Sequence, residues 1–192
     1  MAGRYTLKVF NDTQSCELPG AVSYTDDPSI LNTKALVFAG GGPNAFGGTV
    51  WEETKLCANK AYDSLILQGY GHDSVYYMSM EAGNEYVDNS NPAAFRSDLS
   101  DKINNWAKDA SQLLLYFVDH GEKEQFVLYE DGGNLEILNA QELAGWLDSL
   151  QETTPAPAVT FMYDACQAGS FIQKLRPSGA WERVIITGAS YE

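Results

Sequence analysis

From Lys34 onward, short apolar runs alternate with longer stretches of helical spacing. Ala35-Leu36-Val37-Phe38-Ala39 is unbroken by any polar residue and ends at Gly40-Gly41-Gly42-Pro43, which reads as a strand buried on both faces. Behind it, Val50, Thr54, Cys57, Ala58, Ala61 and Leu65 recur at helical intervals, with Thr49 and Glu52 spaced as a capping box and Gly69 as the stop. Val75 to Met80 predicts a second strand, followed by a polar loop through Asn91. Asn91-Pro92 suits a helix start, and Phe95, Leu99, Ile103, Trp106 and Ala110 form one apolar stripe. Leu113 to Val118 is the third strand. Phe126 to Tyr129 and Leu135 to Leu138 then flank Asp131-Gly132-Gly133-Asn134, a hairpin signature. Asn139 and Glu142 cap a helix with Leu143, Trp146, Leu147 and Leu150 on its inner face. Val159 to Met162 and Val184 to Thr187 complete five strands. Such alternation predicts an α/β fold with a mostly parallel sheet and helices on both faces. Trp51, Trp106 and Trp146 sit on helix faces and read as core packing.

Residues 1–33 follow another pattern. Tyr5 to Phe10 alternates like an edge strand, Asn11-Asp12 and Pro19-Gly20 break it, and Asp26-Asp27-Pro28 reads as a turn into the main domain. The expected division is an N-terminal extension, or the tail of a preceding β domain, over 1–33 and one main domain over 34–192.

Composition narrows the function. The 192 residues are 44% hydrophobic, enough for one well-filled core. Net charge is −14, from 26 acidic and 12 basic residues, so the surface repels phosphate backbones and nucleic acid is not an expected partner. No run reaches 18 apolar residues, so no membrane span is expected. Met1-Ala2-Gly3-Arg4 lacks the apolar core of a signal peptide, and the chain is compatible with a piece of a longer exported or cell-surface precursor. Three cysteines and two histidines show no zinc-like spacing, and neither metal nor cofactor is expected. If Cys166 stays free, only Cys16 and Cys57 remain to pair. The acidic loop Glu81 to Asn91 does not fit a calcium-loop pattern and reads as solvated, as does His72 near a strand start. The glycines at 40, 41, 42, 47 and 48 suggest a nucleotide loop, but Ala45 stands where the third glycine of G-x-G-x-x-G belongs, and no Gly-Lys-Ser/Thr follows.

The chemistry concentrates in two segments. Val118-Asp119-His120-Gly121 and Tyr163-Asp164-Ala165-Cys166-Gln167-Ala168-Gly169-Ser170 each follow a predicted strand, where α/β folds place their ligands. A thiol and an imidazole delivered to that edge are a nucleophile and its proton-transfer partner. A helix predicted over Ser170 to Leu175 would favour the thiolate, and Ala165, Ala168 and Gly169 would let a peptide backbone come close. Gly121 and Cys166 can offer backbone N–H groups to a developing oxyanion.

These runs resemble legumain-type cysteine peptidases of the caspase-like group, bacterial legumain-like domains above all. The shared runs are Val-Asp-His-Gly and Tyr-Asp-Ala-Cys-Gln-x-Gly-Ser-Phe, and the resemblance covers about residues 34–190. The 46 residues from His120 to Cys166 are also close to the roughly 50 between the same two residues in caspases. The resemblance implies a caspase-like three-layer sandwich and a cofactor-free endopeptidase acting on peptide or protein substrates. Cys166 would be the nucleophile, His120 the proton donor and acceptor, and the N–H groups of Gly121 and Cys166 the oxyanion hole. Substrate contacts are expected from Asp164, Asn44, Thr187 and Ser190. The family's arginine in the loop after the first strand is missing from Gly41 to Gly48. Asp164 instead matches the acid of relatives that cleave after Lys or Arg, so a basic residue before the cleaved bond is expected, with Asn second. Caspase-like folds continue past the fifth strand, so association with a C-terminal fragment and activation by self-processing are also expected. The rival reading is a catalytically silent binding or scaffolding module of a larger protein.

Overall fold

The computed structural model describes residues 3–10, 15–24, 32–48, 50–153 and 155–191. They form two compact units, one ending at Asn32 and the other beginning at Thr33. In the small unit, β1 (Gly3–Phe10) pairs antiparallel with β2 (Ser15–Tyr24). The pairing jumps from Tyr5↔Val22 to Leu7↔Leu18, so Pro19-Gly20 lies in a bulge inside β2 and does not end it. Proline tolerates that place because a bulge residue gives no N–H to the ladder. The expected turn at Asp26-Asp27-Pro28 lies outside the described residues.

The larger unit is built on β3 (Thr33–Ala39), β4 (Val75–Ser79), β5 (Gln112–Val118), β9 (Ala158–Asp164) and β10 (Arg183–Thr187). They pair in parallel in the order β10-β9-β5-β3-β4. One face packs on α1 (Trp51–Leu67) through Ala35, Val37, Val75, Tyr77 and Val118, which meet Trp51, Ala58, Tyr62 and Leu65. On the other face, Leu36, Phe38, Leu115, Phe117 and Phe161 pack on α2 (Phe95–Asp101), α3 (Ala140–Gln151), α4 (Phe171–Lys174) and a second sheet. That sheet is β6 (Gly121–Glu122), β7 (Gln125–Asp131) and β8 (Asn134–Asn139). Gly132 and Gly133 join β7 to β8 with φ of 57° and 85°, the two left-handed residues of a type I′ hairpin. Apolar helices on one side and the hairpin's Phe126, Leu128 and Leu138 beside them make this the thick layer of the fold. The result is a mixed α/β fold consistent with the caspase-like sandwich.

Several local expectations change. Helix α2 runs into a π-helical turn at Lys102–Trp106, closed by the bond from the Ala107 N–H to the Lys102 carbonyl. The inserted residue rotates the stripe, so Ala107 is fully buried and Trp106 only half-buried. Thr49, the expected cap of α1, lies outside the described residues, and Val50 occupies the N-cap position. Asn139 does precede α3 but makes no side-chain cap. The Ala140 N–H is taken by the Glu124 carbonyl, and Glu142 pairs with Arg96 instead. Arg183 anchors edge strand β10 to the thick layer: its buried guanidinium reaches Asp148 at 2.8 Å, Gln151, and the Leu175 carbonyl at 2.9 Å. Burial lowers its pKa while Asp148 opposes the shift. Among the described residues no helix is long and apolar enough to cross a membrane.

Candidate active site

The register of the sheet places the two motifs. Val118 pairs with Asp164 at the carboxyl ends of neighbouring strands β5 and β9. His120 and Cys166 therefore each stand two residues beyond one paired position, on strands about 4.8 Å apart. The ladder continues one residue further, where the Asp119 N–H donates to the Asp164 carbonyl at 3.2 Å. On the hairpin side, the Val127 N–H donates to the His120 carbonyl at 3.2 Å, so the His120 backbone is fixed from both flanks.

Gly121 shows how close the two loops come. A Cβ there would lie 2.4 Å from the Tyr163 hydroxyl oxygen and 2.9 Å from the Cys166 carbonyl oxygen. Only glycine lets the segment after His120 lie against the segment carrying Cys166. Tyr163 is buried beneath them, and its hydroxyl donates to the Gln125 carbonyl at 3.0 Å. Burial, with Asp119 and Cys166 nearby, holds that phenol well above its ordinary range. Cys166 itself is an exposed free thiol, and so is Cys57 on α1.

The imidazole is held by groups whose roles the sequence did not disclose. Its Nε2 is buried without a hydrogen-bond partner and lies 4.0 Å from Oδ1 of Asp119. The Asp119 side chain is 2% exposed, accepts from the Thr54 hydroxyl at 3.2 Å, and leaves Oδ2 without a partner. Burial pushes its carboxyl up to about 6, with His120 and the Thr54 hydrogen bond pulling the other way. A Cβ on Gly41 would lie 1.5 Å from that oxygen, so the first loop gives up a side chain to admit the carboxylate. Phe46 completes the setting with its ring edge-on to His120, centroids 4.9 Å apart. Thr54 had a readable signal: a hydroxyl within an apolar helical stripe needs a buried partner.

The expected pocket residues do not all come together. Asp164 is exposed at the end of β9, and a Cβ on Gly188 would lie 2.5 Å from its Oδ1, so it abuts the segment after β10. Thr187 pairs with Tyr163 at the end of β10, and Ser190 lies in the exposed segment beyond. Asn44 turns the other way, its amide donating to Asp131 at the hairpin at 3.1 Å. Ala168 and Gly169 are buried and do not line a groove for substrate backbone. The room that Gly169 leaves is filled by the chain's own Ser190 and Tyr191 backbone, 2.8 Å from where its Cβ would be. The expected helix over Ser170 to Leu175 is a 3-10 turn from Ala168 followed by the single turn of α4. Gln167, just after Cys166, is left-handed with φ of 54°, a sharp bend that lifts the thiol to the surface. The acidic loop is tied down by the protein itself: Asp88 accepts from the Tyr77 N–H at 2.8 Å and Asn89 donates to Asp98 at 2.8 Å. Among the described residues no cluster of three or more His, Cys, Asp or Glu could hold a metal ion.

Comparison with known proteins then adds one finding. Residues 64–192 match the Peptidase C13 family, a span that includes both motifs. No curated protein matches the chain.

Proposed function

The chain belongs to the Peptidase C13 family, the legumain family of cysteine peptidases, and on that premise we propose that Cys166 and His120 form its catalytic dyad. The single observation carrying the proposal is the shared register of β5 and β9, which sets thiol and imidazole two residues past one paired position. With Nε2 buried toward Asp119, Nδ1 is the ring nitrogen left to exchange protons with the thiol. The thiol proton passes to His120 as Sγ bonds to the scissile carbonyl carbon. The carbonyl oxygen becomes an oxyanion within reach of the Gly121 and Cys166 N–H groups. Collapse breaks the C–N bond, and His120 returns the proton to the leaving amine. Water then gives one proton to His120 and attacks the thioester. The acid leaves, and the proton goes back to sulfur.

Asp164 sets the expected preference. Its carboxylate is exposed beside the dyad, and it forms no ion pair among the described residues, so it is available to a Lys or Arg before the scissile bond. Asn is the second choice, and self-processing belongs to the same reading. The deciding experiment is mass spectrometry after exposure to a peptidyl electrophile with Lys at its reactive end. A single adduct on Cys166, absent from His120→Ala, supports the dyad. An adduct that survives in His120→Ala overturns it. A peptide library cleaved preferentially after Asp or Glu would remove the role given to Asp164.

A further inference from the structure

Beside His120 the rim opens into a groove of about 220 Å³. Phe46 from the loop after β3, Val127 from β7, and Leu135 and Ile137 from β8 line it, together with Glu122 and His120 itself. Phe46 is an odd residue to find there. It is 54% exposed, and its backbone is left-handed at φ 47° and ψ 35°, a conformation that costs an aromatic residue on the order of 1 kcal/mol. The hairpin holds it in place. Its N–H donates to the Glu130 carboxylate at 2.9 Å, and the Glu130 N–H donates to the Gly41 carbonyl at 2.8 Å. Leu135 is 48% exposed on the groove's hairpin side. Half-exposed apolar side chains contribute little to folding, yet two of them face one hollow beside the imidazole, one kept there against backbone strain.

The chemistry identifies which part of a substrate reaches this hollow. The group that protonates the leaving amine must come within hydrogen-bond distance of its nitrogen. The side chain on that nitrogen's own α-carbon then begins only two bonds further on. The acyl half lies on the Cys166 side, toward Asp164 and β10. Resting on the Cys166–His120 reading, we propose that the groove binds the side chain of the residue immediately after the scissile bond and selects an apolar one. Phe46, Leu135 and Ile137 are its specificity-determining residues.

The test is a peptide series with Lys before the cleaved bond and Leu, Ile, Phe, Ser, Gly or Asp after it. The expected result is kcat/KM about tenfold or more higher for the apolar residues, the discrimination an apolar pocket supplies. That ratio, taken within each variant so that any general loss of rate cancels, falls toward one in Phe46→Ala and in Leu135→Ser. The second variant keeps the test independent of the Phe46–His120 contact. Binding supplies a readout without turnover. Isothermal titration of uncleaved peptides into the Cys166→Ala chain should give a dissociation constant about tenfold lower for Leu than for Ser, with the difference lost in Cys166→Ala/Phe46→Ala. Equal rates and equal affinities overturn the groove assignment. If the wild-type chain still labels at Cys166 with an electrophile ending at the scissile carbonyl, which offers the groove nothing, the dyad survives that result. If it does not label, dyad and groove assignment fall together.

Discussion

The two faces of the main sheet are built to different standards. On one, α2, α3, α4 and the hairpin sheet bury an aromatic chain in which Phe38, Phe117, Phe126 and Phe161 meet edge-on or tilted at 5.1 to 5.6 Å between centroids. On the other, α1 covers β3, β4 and part of β5, while Val184 and Ile186 on β10 stay 46% and 47% exposed. The proposed dyad stands at the rim between them. His120 is gripped from the thick side by the hairpin through the Val127 N–H, and Cys166 is exposed just beyond the end of β9. Rigidity is concentrated where an imidazole must be aimed, and access where a substrate must enter.

The largest effects should fall on the thick face. Phe126→Ala removes a ring that touches Phe38, Phe117 and Tyr163 and should cost about 3–5 kcal/mol in urea unfolding followed by circular dichroism. Ile186→Ser on the thin face should cost under about 1 kcal/mol. Equal losses would erase the contrast. Arg183→Ala comes next, at about 3 kcal/mol, because it strands Asp148 and Gln151 in a partly buried network. Arg183→Met, which fills the space but carries no charge, should show whether packing alone can hold β10 in place.

Asp119 sharpens the comparison through pH. In the folded chain its carboxyl keeps a proton up to about pH 6, against an ordinary value of 3.8. Between those values the native state binds more protons than the unfolded one, so this residue's contribution to stability falls as pH rises. Asp119→Asn removes the burial of that charge. The variant should match the parent near pH 4 and exceed it by about 2–3 kcal/mol at pH 8, with the gap opening between pH 4 and pH 6. A gap independent of pH would mean the carboxylate is solvated or already paired.

What could be read from the sequence depended on how local its cause was. The five strands, the helix at Val50 to Leu65 and the hairpin around Gly132-Gly133 were readable because hydrophobic period and turn chemistry act within a few residues. His120 and Cys166 were readable as candidates for the same reason: each follows its own strand. Their neighbours were not. Asn44 looked like a pocket residue from its loop, yet its amide is spent on Asp131, 87 positions away. Asn139 and Glu142 looked like a cap, but Glu124 and Arg96 had stronger claims on the groups involved. Gly169 looked like room for substrate, and the chain's own return at Ser190 and Tyr191 fills it. In each case a contact distant in sequence outbid a local preference.

Phe46 is expected to matter more to the substrate than to the fold. Phe46→Gly releases the left-handed strain, worth roughly 1 kcal/mol. It also gives up the edge-on contact with His120, worth about 0.5–1.5 kcal/mol, and adds glycine's freedom to the unfolded chain. The strain released offsets only part of the two losses, so the unfolding free energy should fall by no more than about 1.5 kcal/mol while selectivity for an apolar residue after the cleaved bond collapses. A loss as large as that from Phe126→Ala would show that the ring is held for packing, and the thick face would then extend to the edge of the groove. A loss that small paired with lost selectivity puts Phe46 on the substrate's side of the boundary. The strain at φ 47° is then kept in the fold for the sake of the groove.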